Sequence, residues 1–234
     1  MNGSGSEPAL QVRLAASWAL ATFRRNLLAF VALAAIVTAV QFLQQLSIQP
    51  LSDVVDECAN PQTPGQQAAC ANALATQVLT SGTLTLVFAV LTIGVTVGVL
   101  RAAIRATLGQ EPGFDALLDG HNLGKYLLFQ LAYALLAGFG FLLFVLPGLL
   151  VIFFFQLGPF YVLDRGMRVG QAFAASTQAI RRNLPAAFAM TVLNALVLLL
   201  GSVFFGLLTL VLLPLASLFT AHLYRQFNDE AVIG

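Results

Sequence analysis

Charge is what this sequence has least of. Only 9% of its 234 residues are Asp, Glu, Lys or Arg, while 59% are hydrophobic; an ordinary soluble domain carries about 25% charge. So little charge leaves too little polar surface to coat a globule in water, and the chain reads as a membrane protein. Lys and Arg number 11 against 10 Asp and Glu, which leaves no basic excess to hold nucleic acid and no acidic tail. Cysteine is almost missing too: Cys58 and Cys70 are the only two. Disulfide-generating membrane enzymes need a closely spaced Cys-x-x-Cys and a second pair to relay electrons, and neither is here. The two histidines, His121 and His222, stand apart from any His-Glu-x-x-His, Gly-x-Ser-x-Gly or acidic cluster. No catalytic centre, metal site or cofactor is therefore expected. Both histidines read as interfacial residues facing solvent or headgroups.

Four stretches contain no Asp, Glu, Lys or Arg at all: 26–52, 58–100, 126–163 and 183–224. A helix crosses the roughly 30 Å hydrocarbon core with about 20 apolar residues. The first stretch then holds one span at 27–46 and the second another at 78–100. The third is too long for one span and is broken by Pro147-Gly148, a pair that interrupts helices, so it reads as a tight hairpin. The fourth divides near Gly201-Ser202 into another. The expected fold is an all-α polytopic membrane protein with six transmembrane helices in three hairpins. Around them lie a cytoplasmic segment at 1–26, a periplasmic loop at 47–77, cytoplasmic interfacial segments at 101–124 and 164–183, and a tail at 225–234.

Basic loops stay in the cytoplasm. With the N-terminus inside, Arg13, Arg24, Arg25, Arg101, Arg105, Lys125, Arg165, Arg168, Arg181, Arg182 and Arg225 all fall on the inner side, and only Asp53, Asp56 and Glu57 fall outside. Both termini are expected in the cytoplasm of a bacterium, and the chain in its inner membrane. The first apolar run is of full spanning length with no small-residue cleavage site after it, so it reads as an uncleaved span.

The chain also repeats itself. "FRRNLLAF" at 23–30 returns as "IRRNLPAAF" at 180–188, with a weaker copy, "HNLGKYLLF", at 121–129. Asn26, Asn122 and Asn183 each precede a Leu where a cytoplasmic segment enters an outward helix. The segment before the last copy is amphipathic: Arg168, Gln171, Gln178 and Arg182 share one face, and Val169, Phe173 and Ile180 another, as in a helix lying in the interface. A shorter version at 114–122 sets Phe114, Leu117 and Leu118 against Asp115, Asp119 and Asn122. The segment at 13–25, with Trp18, is poorly amphipathic and reads as an extension of the first span. Either these are three copies of one structural unit or three basic entries of the ordinary kind.

Leu146-Pro147-Gly148, Pro159, Asp164, Ser176 in a cytoplasmic helix and the turn at Asn183 together resemble the YciC-like inner-membrane proteins, within the wider group of glycerophosphoryl diester phosphodiesterase membrane-domain-like proteins. The similar length and element order extend over nearly the whole chain. The resemblance implies fold and location only. It brings no functional residues, and the phosphodiesterase site in the group's name has no counterpart here.

Topology puts Cys58 and Cys70 outside, where an oxidising compartment favours a structural disulfide, with free thiols as the alternative. Gly94, Gly98 and Ala102 form a small-residue stripe, for internal packing or a dimer interface. Gln156 and Asn194 fall near the midplane of the fourth and fifth spans, as a hydrogen-bonded pair or as part of a substrate path. Asp164 adjoins Arg165, and pairing or headgroup contact is its simplest role. No carboxylate lies within the spans, so coupling to a proton gradient through one is not expected. The basic residues Arg24, Arg25, Arg168, Arg181 and Arg182 form a cytoplasmic interface. The reading is a non-enzymatic protein acting through membrane lipids, another membrane protein or a second copy of itself. A small transporter or channel is the alternative.

Overall fold

The computed structural model describes residues 8–60, 63–113, 116, 119–203 and 208–233. Nine helices occur among them: α1 (Pro8–Arg25), α2 (Leu27–Glu57), α3 (Pro64–Thr107), α4 (Leu123–Leu143), α5 (Val145–Phe155), α6 (Gly158–Arg165), α7 (Val169–Arg182), α8 (Leu184–Val203) and α9 (Thr209–Phe227). The only extended pairing among the described residues is a single bridge between Leu108 and Ile233. Five helical runs are long and apolar enough to cross a membrane: α2, α3, α4, the joined run Val145–Arg165, and Leu184–Gly201 within α8. Their apolar side chains are turned outward, with Leu28 86%, Leu142 82% and Leu198 76% exposed. Water would not tolerate so broad an apolar surface on a monomer, whereas lipid chains match it.

The chain divides into two compact units, Met1–Ala34 with Val97–Gly234, and Ala35–Thr96. In the second, the segment expected as a loop at 47–77 is largely helical. α2 continues through Pro50 to Glu57, and α3 begins at Pro64. Local chemistry explains the early start of α3. Pro64 occupies the first helical position, where no N–H is needed, and Thr63 and Gln66 exchange reciprocal backbone-to-side-chain bonds of 3.0 and 3.3 Å in a capping box. The Ala- and Gln-rich residues that follow favour helix. At 44 residues, α3 is about 66 Å long, twice what the hydrocarbon core needs. Cys58 and Cys70 are joined in a disulfide, Cα atoms 5.6 Å apart. Further along, the Ser81 hydroxyl donates to the Ser47 carbonyl at 3.3 Å.

In the first unit α9 is enclosed. Every residue from 216 to 225 is buried, and the helix packs against α1, α7 and α8. Enclosure explains its mixed composition, since Ser217, Thr220, His222 and Arg225 face protein groups rather than lipid. α1 is a separate helix instead of an extension of α2, and the break falls at Asn26. There the Asn26 amide donates to the Thr22 carbonyl at 3.1 Å, while its own carbonyl accepts the Phe30 N–H at 3.1 Å. Asn183 does the same between α7 and α8, donating to Ala179 at 3.0 Å and accepting from Ala187 at 2.9 Å. One side chain thus closes the outgoing helix and its backbone opens the next. The two Arg-Arg-Asn-Leu copies are the same structural device. Asn122 opens α4 by accepting from Tyr126 at 3.0 Å, in a left-handed conformation. The surface helix expected before it rests on Phe114, Asp115, Leu117 and Leu118, which lie outside the described residues.

Two turns differ from expectation. α4 and α5 are joined at Phe144, a single extended residue, and Pro147-Gly148 lies inside α5. Pro147 falls in the first turn of α5, where its missing N–H removes no helical bond. Gly148 serves packing instead. A Cβ on Gly140 would lie 2.9 Å from the Gly148 backbone, so the pair lets α4 and α5 approach closely. Likewise α8 runs through Gly201-Ser202 to Val203, so that pair does not end the helix. Gly201 leaves space for Thr209, whose hydroxyl would stand 2.7 Å from an added Cβ.

Candidate functional site

The run Val145–Arg165 is not one helix. It breaks at Gln156 and Leu157, because Pro159 at the start of α6 has no N–H to continue the ladder. A break inside an apolar span exposes backbone groups that lipid cannot satisfy. Ser176 of α7 seals it: its hydroxyl donates to the Phe154 carbonyl at 2.7 Å and accepts the Leu157 N–H at 3.3 Å. Ser176 itself is fully buried. Gln156 completes the repair by donating to the Phe153 carbonyl at 3.0 Å and to the Thr191 hydroxyl at 2.8 Å. The expected partner, Asn194, is not the one used. It sits half-buried three residues further along α8, about 4.5 Å down the axis.

Aromatic packing fixes α7 against the break. The Phe173 ring lies 4.4 Å from that of Phe155 and 4.7 Å from that of Phe129. Phe129 in turn fills the space that a side chain at Gly158 would need, its ring reaching within 2.0 Å of an added Cβ. A groove of about 460 Å³ opens beside these rings, lined by Phe155, Phe173, Ala174, Thr177, Gln178, Arg181 and Arg182. The Arg181 guanidinium stands 5.7 Å over the Phe154 ring. The polar face of α7 is as the sequence suggests, with Arg168, Gln171, Gln178 and Arg182 exposed. Its opposite face is buried against protein, through Ala172, Ser176, Ala179 and Ile180.

A second polar cluster lies where α6 and α9 end. Arg225, only 7% exposed along its side chain, grips Asp164 with two bonds of 2.9 and 3.0 Å. Its Nε donates to the Thr107 hydroxyl at 3.1 Å, and Nη1 also reaches Glu230. The Tyr224 hydroxyl donates to Asp164 at 2.9 Å. Asp164 therefore pairs with Arg225 and not with its neighbour Arg165, which instead meets Glu230 at 2.6 Å. The tail expected at 225–234 is tied to this cluster: the Ile233 N–H donates to the Thr107 carbonyl at 3.0 Å. Nearby, Arg101 donates to the His121 carbonyl, and Arg105 meets Asp119 at 3.3 Å. The His121 N–H donates to Asp119 at 2.9 Å and, with Arg101 and Arg105, holds that carboxyl below its usual range.

The remaining residues singled out from sequence separate clearly. Arg24 and Arg25 are exposed at the end of α1. Gly98 and Ala102 are buried, but a Cβ on Gly94 would meet nothing within 4 Å, so the small-residue stripe is a close contact over only part of its length. His222 does not face solvent or headgroups as expected. It is 7% exposed, its ring 5.1 Å from that of Trp18. Among the described residues no group of His, Cys, Asp and Glu could hold a metal. Sequence reading passed over the sealing role of Ser176, for which the only signal was a small hydroxyl on the apolar face of an amphipathic helix.

The fold and these sites define a polytopic α-helical membrane protein. No family model matches the chain, and neither a curated protein nor a solved structure is similar enough to compare with it.

Ser176→Ala should leave the Leu157 N–H and the Phe154 carbonyl buried without partners, a loss of about 1–3 kcal/mol. Thermal unfolding of the purified protein in lipid checks it, with Ser176→Thr expected to recover part of the loss. An unchanged midpoint for the alanine variant would mean that the break is sealed by other groups.

Proposed function

We propose that this chain is a six-span protein of the bacterial inner membrane, of the YciC-like kind, which acts without catalysis by holding anionic lipid headgroups in the α7 groove. The observation that carries this reading is the groove itself. It joins an aromatic floor, Phe155 and Phe173, to two arginines, Arg181 and Arg182, as an acyl chain and a phosphate would require. Three further features support it. Pro159 and Ser176, two of the residues behind the family resemblance, are the residues that make and seal the break. The Gln156 amide is used locally, which favours a packing role there over a solute path. In this reading α9 is the sixth span, and the excess of basic residues assigns their side of the topology to the cytoplasm.

The test is the lipid that stays bound on purification. Near a bilayer surface each basic residue contributes about 1 kcal/mol toward anionic lipid, so Arg181→Ala with Arg182→Ala should lower its retention by roughly 30-fold, measured by native mass spectrometry. Equal retention by wild type and double variant would refute the proposal. The topology is tested separately. Gln110→Cys and Gly170→Cys should react with an impermeant thiol reagent only after membrane disruption, and Asp53→Cys in intact cells. Reaction of Gly170→Cys in intact cells would reverse the assigned orientation.

A further inference from the structure

Away from the α7 groove, α1 and α9 border a second groove of about 590 Å³. Three side-chain atoms on its lining residues are buried without a hydrogen-bond partner: Trp18 Nε1, His222 Nδ1 and Gln226 Oε1. A buried polar atom without a partner is costly, and three bordering one groove point to a ligand that supplies what they lack. Their chemistry is specific. The indole N–H can only donate and the Gln226 carbonyl oxygen can only accept; His222 Nδ1 accepts when the imidazole proton is on Nε2. The lining adds one carboxylate, Glu230, and contains no Lys or Arg. Glu230 already meets Arg165 and Arg225 through one oxygen each, but a carboxylate has about four lone-pair positions. An anion would find the indole N–H and the Gln226 amide nitrogen as donors, but beside a like charge, Glu230. A cation with several N–H groups would meet three acceptors beside the rings of Trp18 and His222, whose centroids are 5.1 Å apart.

We propose that this groove binds a primary ammonium group carrying an oxygen two carbons away: the ethanolamine headgroup of a phospholipid, or free ethanolamine as a soluble source of the same chemistry. The ammonium donates to Gln226 Oε1 and His222 Nδ1 against the Trp18 ring, and the neighbouring oxygen accepts the Trp18 N–H. A trimethylated choline head keeps the charge but has no N–H to donate, so it is the discriminating comparison.

Trp18 is the chain's single tryptophan, so its emission reports on the site directly. The full chain is placed in nanodiscs of phosphatidylcholine with or without phosphatidylethanolamine, and the retained lipid is also counted by native mass spectrometry. Phosphatidylethanolamine should shift the Trp18 emission and be retained about tenfold over phosphatidylcholine, the worth of one charge-assisted hydrogen bond. Gln226→Leu and His222→Phe should each remove most of that preference, while Arg181→Ala with Arg182→Ala leaves it intact. That separates this site from the α7 groove. Free ethanolamine producing the same emission change in phosphatidylcholine discs supports the ammonium chemistry and names the soluble source. Emission indifferent to both ethanolamine and its phospholipid, a preference that survives in both Gln226→Leu and His222→Phe, or equal retention of phosphatidylglycerol by the Arg181→Ala with Arg182→Ala variant would overturn the proposal. The wild-type comparison stands even if a variant fails to fold.

Discussion

Arg225→Met is expected to destabilise the protein by about 3–5 kcal/mol, the largest effect of any single substitution considered, because it strands the carboxylate of Asp164 beside the end of α9. The loss arises less from the attraction removed than from the charge left without a partner in a place shielded from water. It follows that the pair should be far easier to remove together. Arg225→Met with Asp164→Leu should recover much of the stability, since replacing a buried ion pair with apolar groups is often close to neutral. Glu230 retains Arg165 in that double variant. Thermal unfolding of the two single variants and the double, in the same lipid, closes the cycle. A double variant as unstable as Arg225→Met alone would show that the cluster acts through Thr107 and Tyr224 rather than through the charge pair.

Loss of the disulfide has the next largest effect. Cys58 and Cys70 are 12 apart in sequence, and closing a loop of that size contributes about 3 kcal/mol by restricting the unfolded chain. Cys70→Ser should lower stability by that amount, and the same shift should follow reduction of the wild type. The effect belongs to the C-terminal end of α2 and the N-terminal end of α3, so binding in the α7 groove should not change. Non-reducing peptide mapping checks the bond itself: a single disulfide-linked peptide pair is expected, and two alkylatable thiols would contradict it. Unaltered unfolding of Cys70→Ser would mean that the capping box at Thr63 and the bond between Ser81 and Ser47 hold the helix ends without help.

What the sequence made legible follows from the range of each interaction. Long charge-free runs identify helices in a bilayer because the hydrophobic requirement is summed over some 20 residues and tolerates local detail. The Asn183 junction is legible for the opposite reason, since an amide that bonds four residues back is a wholly local device, whereas the same device at Asn26 is hidden by the mostly apolar sequence that continues on both sides of it. Turn positions were less legible. Pro147 punctuates a sequence in the same way whether it ends a helix or sits in its first turn, and only the neighbouring Phe144 reveals which. The segment expected as a loop at 47–77 is largely helical because moderate polarity does not exclude structure: Gln and Ala are good helix formers wherever a cap starts them. Contacts between distant segments were hidden. Nothing local links Asp164 to Arg225, 61 residues away, or Gln156 to Thr191 rather than Asn194. Likewise, His222 reads as interfacial until α1 is seen to cover it.

The most direct measurement of the central claim is photo-crosslinking with an anionic phospholipid that carries its reactive group beside the phosphate, followed by peptide mapping of the full chain in nanodiscs. The groove account predicts that the label concentrates in two peptides, one containing Phe155 and the other spanning Phe173 to Arg182, and that Arg181→Ala with Arg182→Ala removes it. Label spread over the exposed leucine surfaces of α2, α4 and α8, with none on α7, would contradict it.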